Sequence, residues 1–268
     1  MHHRPKKFLG QNFLVDGNLQ RKIVEALDPR AGEEVLEIGP GKGALTQHLV
    51  GKCGSLILVE LDRDLANALK QQYEGNRGVR VMEGDILDFH PGALTDQVPD
   101  LKVVGNIPYN ITTPILFHLL ALPRPKEILL MVQKEVGERI LADPGTSAFG
   151  ALTVGVRCVA SVERVLRVPA SAFRPVPAVD SMVIRVRPSR PEPLTPDEEE
   201  SLRSLTRMAF QQRRKQFQAI LRSRWVVKLS HEQIGELESA TGFDLRQRPE
   251  TFSPEEFILL SKALRALF

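Results

Sequence analysis

This 268-residue sequence predicts an α/β fold with a mostly parallel sheet and an antiparallel hairpin at one edge, followed by a small all-α domain. Three observations predict it. Short hydrophobic runs alternate with helical-period segments between residues 19 and 132, the mark of a parallel sheet wrapped by helices. A proline-rich break covers residues 188–196. Beyond that break three capping boxes occur with no strand-like run between them.

The elements follow in order. Leu19, Ile23, Val24 and Leu27 recur at helical spacing, and Pro29 ends that helix. Residues 35–38 read as a strand, 44–50 as a helix, 55–59 as a strand and 65–73 as a helix. Residues 79–82 and 101–104 are the next strands, and Thr113 with Pro114 reads as the cap and first turn of a helix reaching 120. Residues 128–132 form a further strand. Residues 161–168 and 181–186 lack a long helix between them and predict the edge hairpin. The break then divides the chain into a domain of residues 1–190 and a helical domain of residues 191–268. The capping boxes that open the helices of the second domain begin at Thr195, Ser230 and Ser253, each with Glu or Gln three residues on.

Net charge is only +3, but the basic residues are unevenly placed. From Ser201 to His231 there are eight basic residues and no acidic one, including Arg207, Arg213, Arg214 and Lys215. The N-terminal arm carries Arg4, Lys6 and Lys7 beside His2 and His3, which fit either an added tag or a native arm. Between Arg157 and Arg190 lie seven arginines against Glu163 and Asp180. Together these runs predict a nucleic-acid surface. Cys53 and Cys158 stand apart among small or apolar neighbours, as reduced packing residues of a cytoplasmic protein. The six histidines show no metal-ligand spacing, and no apolar stretch is long enough for a membrane span.

Glu37, Gly39, Gly41 and Gly43 close the first sheet strand and open a helix. Glycines at alternate positions let the backbone approach a ligand, and the third comes one residue too early for a dinucleotide fingerprint. Lys42 lacks the flanks of a P-loop lysine. About 20 residues later, Glu60 ends the second strand, where a carboxylate can accept both ribose hydroxyls. Asp85, at the end of the third, can accept from an adenine amine. This ordered set suits S-adenosylmethionine.

Asn106, Ile107, Pro108 and Tyr109 follow the fourth strand. An exocyclic adenine amine is a poor nucleophile because its lone pair is delocalised into the ring. The Asn106 side-chain oxygen and the Ile107 carbonyl can each accept one N–H and turn that lone pair toward a methyl donor. Pro108 stiffens the turn, and the Tyr109 ring offers a face to a base taken out of its helix.

With these residues in view, the chain resembles the KsgA (RsmA) family of small-subunit rRNA adenine N6-dimethyltransferases, a family similar to the Erm and Dim-type enzymes. The resemblance runs nearly end to end: residues 9–14, 37–43, 106–114, 133–136 and 173–181 each look like a family motif. It implies a Rossmann-like class I methyltransferase domain and an rRNA-binding helical one. It further implies that Asn12, Leu14, Gly39, Glu60, Asp85 and Asn106 contact S-adenosylmethionine, and that Tyr109 and Phe173 flank the target adenine. The implied partner is rRNA of an immature small ribosomal subunit; a monomer is the default expectation, with no metal and no membrane. Residues 209–215 resemble the small-subunit branch, while an Erm-type enzyme acting on large-subunit rRNA, or an assembly factor acting by binding, stays as the alternative.

Overall fold

The computed structural model describes residues 11–108, 111–188, 194–224 and 228–267. The chain divides into two compact units, one of residues 1–137 with 162–188 and one of residues 138–161 with 189–268. This differs from a single boundary at 190, because residues 138–161 join the helical unit.

The first unit opens with a two-residue strand, β1 (Phe13–Leu14), and helix α1 (Gly17–Leu27). The Asp16 side chain caps α1 by accepting from the N–H groups of Asn18 and Leu19. The main strands are β2 (Glu34–Ile38), β3 (Ser55–Glu60), β4 (Val79–Glu83), β5 (Lys102–Asn106) and β6 (Glu127–Gln133). With β7 (Ser161–Val168) and β9 (Ser181–Arg187) they form one seven-stranded sheet ordered β4-β3-β2-β5-β6-β9-β7. The strands from β4 through β6 run parallel, and β9 is antiparallel to β6. β2, β3, β5 and β6 are buried almost throughout, as hydrophobic strands covered on both faces must be.

Sheet order reverses between β2 and β5, so a crevice opens at their carboxyl ends, where ligands of open α/β sheets bind. Ile38 pairs with Gly105 across this switch point. A Cβ on Gly105 would stand 2.9 Å from the Ile38 carbonyl oxygen, so glycine is what lets the strands close. At the opposite end of the sheet, buried Lys102 bonds Glu33 at 2.7 Å and the Asp28 carbonyl at 2.8 Å, and Lys126 bonds Glu33 at 3.0 Å. Burial alone would raise the Glu33 carboxyl, but these ammonium groups and the Arg30 N–H outweigh it and hold it at about 2.

Two local expectations need correction. The helix expected over 44–50 is a single turn, α2 (Thr46–Leu49), because Gly43 sits at φ +79° and residues 41–45 form turns. Helix α5 (Thr112–Leu119) is capped at Ile111, two residues before the expected position, with Pro114 inside the first turn. α3 (Arg63–Gln72) agrees with expectation, and α4 (Pro91–Leu94) is a short turn after β4.

The helical unit contains α7 (Ala151–Arg157), α8 (Pro196–Gln211), α9 (Phe217–Arg224), α10 (His231–Thr241) and α11 (Pro254–Ala266). α6 (Lys134–Ile140) spans the chain's passage between units. Capping boxes at Thr195, Ser230 and Ser253 open α8, α10 and α11, each with reciprocal bonds. Helices α6, α7 and α9 carry no such sequence signal and escape the sequence reading. Phe149, Phe210, Phe217, Phe252 and Phe257 form the aromatic centre, with ring centroids 5.4–6.1 Å apart in the paired contacts. Buried Cys158 donates its thiol to the Pro254 carbonyl in this unit.

Candidate active site

A cavity of about 350 Å³ lies in the first unit at the carboxyl ends of β2, β3, β4 and β5. Its floor is the glycine loop. Gly39 and Gly41 adopt φ +63° and +60°, a region that side chains rarely occupy, and both line the cavity. Gly43, also at positive φ, faces Leu69 and Thr46 and lies outside the lining, so its part is to start α2.

Glu60 and Asp85 end adjacent strands and both reach the cavity. Glu60 is buried; one carboxylate oxygen accepts from the Gly41 N–H at 2.9 Å and the other from the Asp62 N–H at 2.9 Å. Those bonds fix the carboxylate plane against the glycine loop and leave each oxygen further acceptor capacity. Burial, the largest influence, raises its pKa above the ordinary carboxylate range. Asp85 spends Oδ1 on the Leu87 N–H at 3.0 Å, which closes a helical turn and orients the carboxylate. Glu37 is wholly buried beneath them, accepts from the Thr46 hydroxyl at 2.7 Å, and is pushed up to about 8 chiefly by burial.

Asn106, Ile107 and Pro108 form the wall at the end of β5. The Asn106 amide nitrogen donates to the Asn12 carbonyl oxygen at 3.1 Å. A carbonyl can only accept, so this bond settles which end of the amide is which and turns Oδ1 away from the anchor. The Pro108 carbonyl accepts from the Ile111 N–H at 3.2 Å, tightening the turn that leads into α5. Tyr109 lies outside the described residues, as do Arg4, Lys6 and Lys7.

The cavity's cover is residues 11–15. β1 pairs antiparallel with β8 (Phe173–Arg174), Leu14 opposite Phe173, and the Val15 N–H donates to the Ala172 carbonyl at 2.8 Å. Asn12 and Leu14 line the cavity. The Phe13 ring lies 3.2 Å from where a Gly41 Cβ would stand, with Lys42 Nζ 4.8 Å from the ring centroid. Gln11 reaches Asp62 at 2.9 Å.

Two of the expected site residues are engaged away from the cavity. Phe173 is buried in the core around Leu14, Val168 and Val183, outside the lining of the cavity, and its ring packs behind the strand that carries Leu14. Arg213 is occupied: its guanidinium bonds Glu250 and the carbonyls of Ser147 at 2.9 Å and Thr146 at 3.0 Å. Of the arginines before the break, Arg185 and Arg187 are paired with Glu127 and Glu163. Arg207, Arg214 and Lys215 are exposed in the helical unit. Sequence reasoning missed Gln20 and Gln47, which line the cavity, and the apolar wall of Leu61, Ile86 and Ile115. Gln20 was legible as a polar residue on the 20, 23, 24, 27 stripe of α1.

The cavity fits S-adenosylmethionine by its donor set. Glu60 suits vicinal ribose hydroxyls and Asp85 an adenine amine, while Leu61 and Ile86 supply an apolar wall and the open glycine loop gives backbone access. Such a loop, two acids at successive strand ends and a reversed sheet order define a Rossmann-like class I methyltransferase, an enzyme that uses S-adenosylmethionine. The comparisons with known proteins narrow the class. Residues 2–262 match the family model for ribosomal RNA adenine dimethylase. Ribosomal RNA small subunit methyltransferase A of Laribacter hongkongensis is 45% identical, covering 97% of this chain and 95% of that protein. The protein of the same name from Moorella thermoacetica is 43% identical over 97% and 93%. Among solved structures, a dimethyladenosine transferase from Plasmodium falciparum aligns with TM-score 0.76 at 27% identity, over 92% of this chain and 95% of that one. The 23S rRNA methyltransferase ErmE aligns with TM-score 0.72 at 28% identity, over 95% and 100%. The chain belongs to the ribosomal RNA adenine dimethylase family.

Proposed function

We propose that this enzyme converts two adjacent adenosines near the 3′ end of small-subunit rRNA to N6,N6-dimethyladenosine, working as a monomer on immature small subunits in the cytoplasm. The small-subunit relatives support the choice of RNA. The single observation that carries the chemistry is the Asn106 amide, tethered through its nitrogen so that its oxygen is the acceptor at the strand end.

Bound S-adenosylmethionine supplies an electrophilic methyl group on a sulfonium. The chain supplies position and charge complementarity. Asn106 Oδ1 and the Ile107 carbonyl accept the N–H groups of the target amine and hold its lone pair out of conjugation. Both bonds strengthen as positive charge grows on that nitrogen, so they favour the transition state over the ground state. Tyr109 stacks on the extruded base. No strong general base is needed, because the methylated amine is acidic and water takes its proton. The cover at residues 11–15 limits water over the cavity. Arg207, Arg214 and Lys215, with the arm residues Arg4, Lys6 and Lys7, neutralise RNA phosphates.

The test is transfer from labelled S-adenosylmethionine into unmethylated small subunits, large-subunit RNA or duplex DNA, followed by digestion to nucleosides. Labelled dimethyladenosine from small subunits alone is expected. Label in large-subunit RNA would move the chain to the Erm activity, and binding without transfer would make it an assembly factor.

A further inference from the structure

Helix α1 buries one face through Gln20, Ile23, Val24 and Leu27, so an amide occupies a place where an apolar side chain would pack. Gln20 is only 6% exposed, and its polar atoms must replace the water they lose. They do so on two separate elements. Nε2 donates to the Leu14 carbonyl oxygen in the cover at 2.9 Å. Oε1 accepts from Gln47 Nε2 at 3.1 Å and from His48 Nε2 at 3.2 Å, both on the turn of helix behind the glycine loop. The Leu14 carbonyl can only accept, so the amide orientation is set, and with it the His48 tautomer that carries hydrogen on Nε2.

β1 also makes a two-residue pairing with β8, and its neighbours are tied by the Val15 N–H to Ala172, Asn106 to Asn12 and Gln11 to Asp62 bonds. So short a pairing is weak by itself. Gln20 joins that cover to the glycine-loop side of the same cavity, and Leu14, Gln20 and Gln47 all line it.

We propose that Gln20 is a positioning residue that latches residues 11–15 to the helix behind the glycine loop and thereby sets how tightly the S-adenosyl ligand is retained. The proposal rests on the cofactor reading of the cavity. Gln20 touches neither the methyl group nor the target base, so its loss acts on cofactor affinity and not on the transfer step.

Two substitutions separate the latch from simple packing. Gln20→Met fills the volume without polar atoms. Gln20→Glu keeps the acceptor toward Gln47 and His48 but loses the donor to Leu14. Both are expected to raise the Kd for S-adenosylhomocysteine, read by calorimetry, on the order of tenfold, the effect of leaving a buried carbonyl unpaired. The KM for S-adenosylmethionine rises in parallel, while kcat at saturating cofactor stays within about twofold. In ligand-free protein, hydrogen exchange at the Val15 N–H quickens in both variants. Gln47→Met, at an exposed position that leaves the core untouched, moves the same readouts in the same direction by a smaller factor. An unchanged Kd with unchanged Val15 exchange, or a fall in kcat equal to the rise in KM, overturns the latch. Failure of the unsubstituted protein to bind S-adenosylhomocysteine overturns the cofactor reading instead, so the two failures are distinct.

Discussion

The two units bury opposite things. The first buries carboxylates, with Glu37, Glu60 and Asp62 almost inaccessible around the cavity. The helical unit buries phenylalanine rings and keeps most of its charge outside, apart from Glu199 at the start of α8. Burying an acid costs desolvation that its hydrogen bonds repay only in part, whereas buried aromatics raise stability. The first unit therefore gives up stability where a ligand must be gripped, and the second is built to persist while keeping Arg207, Arg214 and Lys215 exposed.

The largest expected effect tests the aromatic side of that contrast. Phe257→Ala removes a ring stacked against Phe210 and packed on Phe217. It should lower unfolding free energy by about 3–5 kcal/mol in denaturant titration. A loss under about 1 kcal/mol would show that the rings do not form a tight core.

On the other side, Glu60→Gln keeps the shape of the group but removes its charge and one acceptor. We expect S-adenosylhomocysteine to bind about tenfold more weakly or worse, with only a small fall in melting temperature from the one backbone N–H that faces the new amide nitrogen. A lower melting temperature with unchanged affinity would make Glu60 a structural residue.

Glu37 gives the pH dependence. Its folded pKa of about 8 lies above the usual 4.5. Between those values the folded state keeps a proton that the unfolded state has lost, so stability is full below about 4.5 and declines as pH rises through about 8. Glu37→Gln should flatten that decline in melting curves taken from pH 5 to 9; an identical slope would mean that Glu37 is charged in the fold.

The smallest effect concerns the exposed basic residues of the helical unit. Replacing Arg214 and Lys215 with alanine should reduce the slope of log affinity for RNA against log salt by about 1.4–1.8, at about 0.7–0.9 per lost phosphate contact. Arg213→Ala should leave the slope in place and loosen residues 146–147 and 250, because its guanidinium is already bonded there. Equal slopes for all three would erase the distinction between exposed and occupied arginines.

Legibility in the sequence followed the same division. Hydrophobic runs located the parallel strands, and a residue just past each strand end is placed by topology alone, so Gly39, Glu60, Asp85 and Asn106 could be gathered at one cavity before any contact was known. Capping boxes likewise reported α8, α10 and α11 through local bonds. Tertiary pairing was not legible. Phe173 is buried because β8 pairs with a strand about 160 residues earlier, where the register sets it against Leu14. Arg213 is occupied because Glu250 and residues 146–147 meet it from distant parts of the chain. α9 has neither cap nor break to announce it, and residues 138–161 join the helical unit by packing that composition does not record.

The most direct measurement is single-turnover methyl transfer by Asn106→Ala, set beside its calorimetric affinity for S-adenosylhomocysteine. If the tethered amide acts as the acceptor for the target amine, transfer falls by about a hundredfold to a thousandfold while ligand affinity changes by less than about tenfold. Transfer at the unsubstituted rate, or a loss explained wholly by weaker ligand binding, would contradict the account.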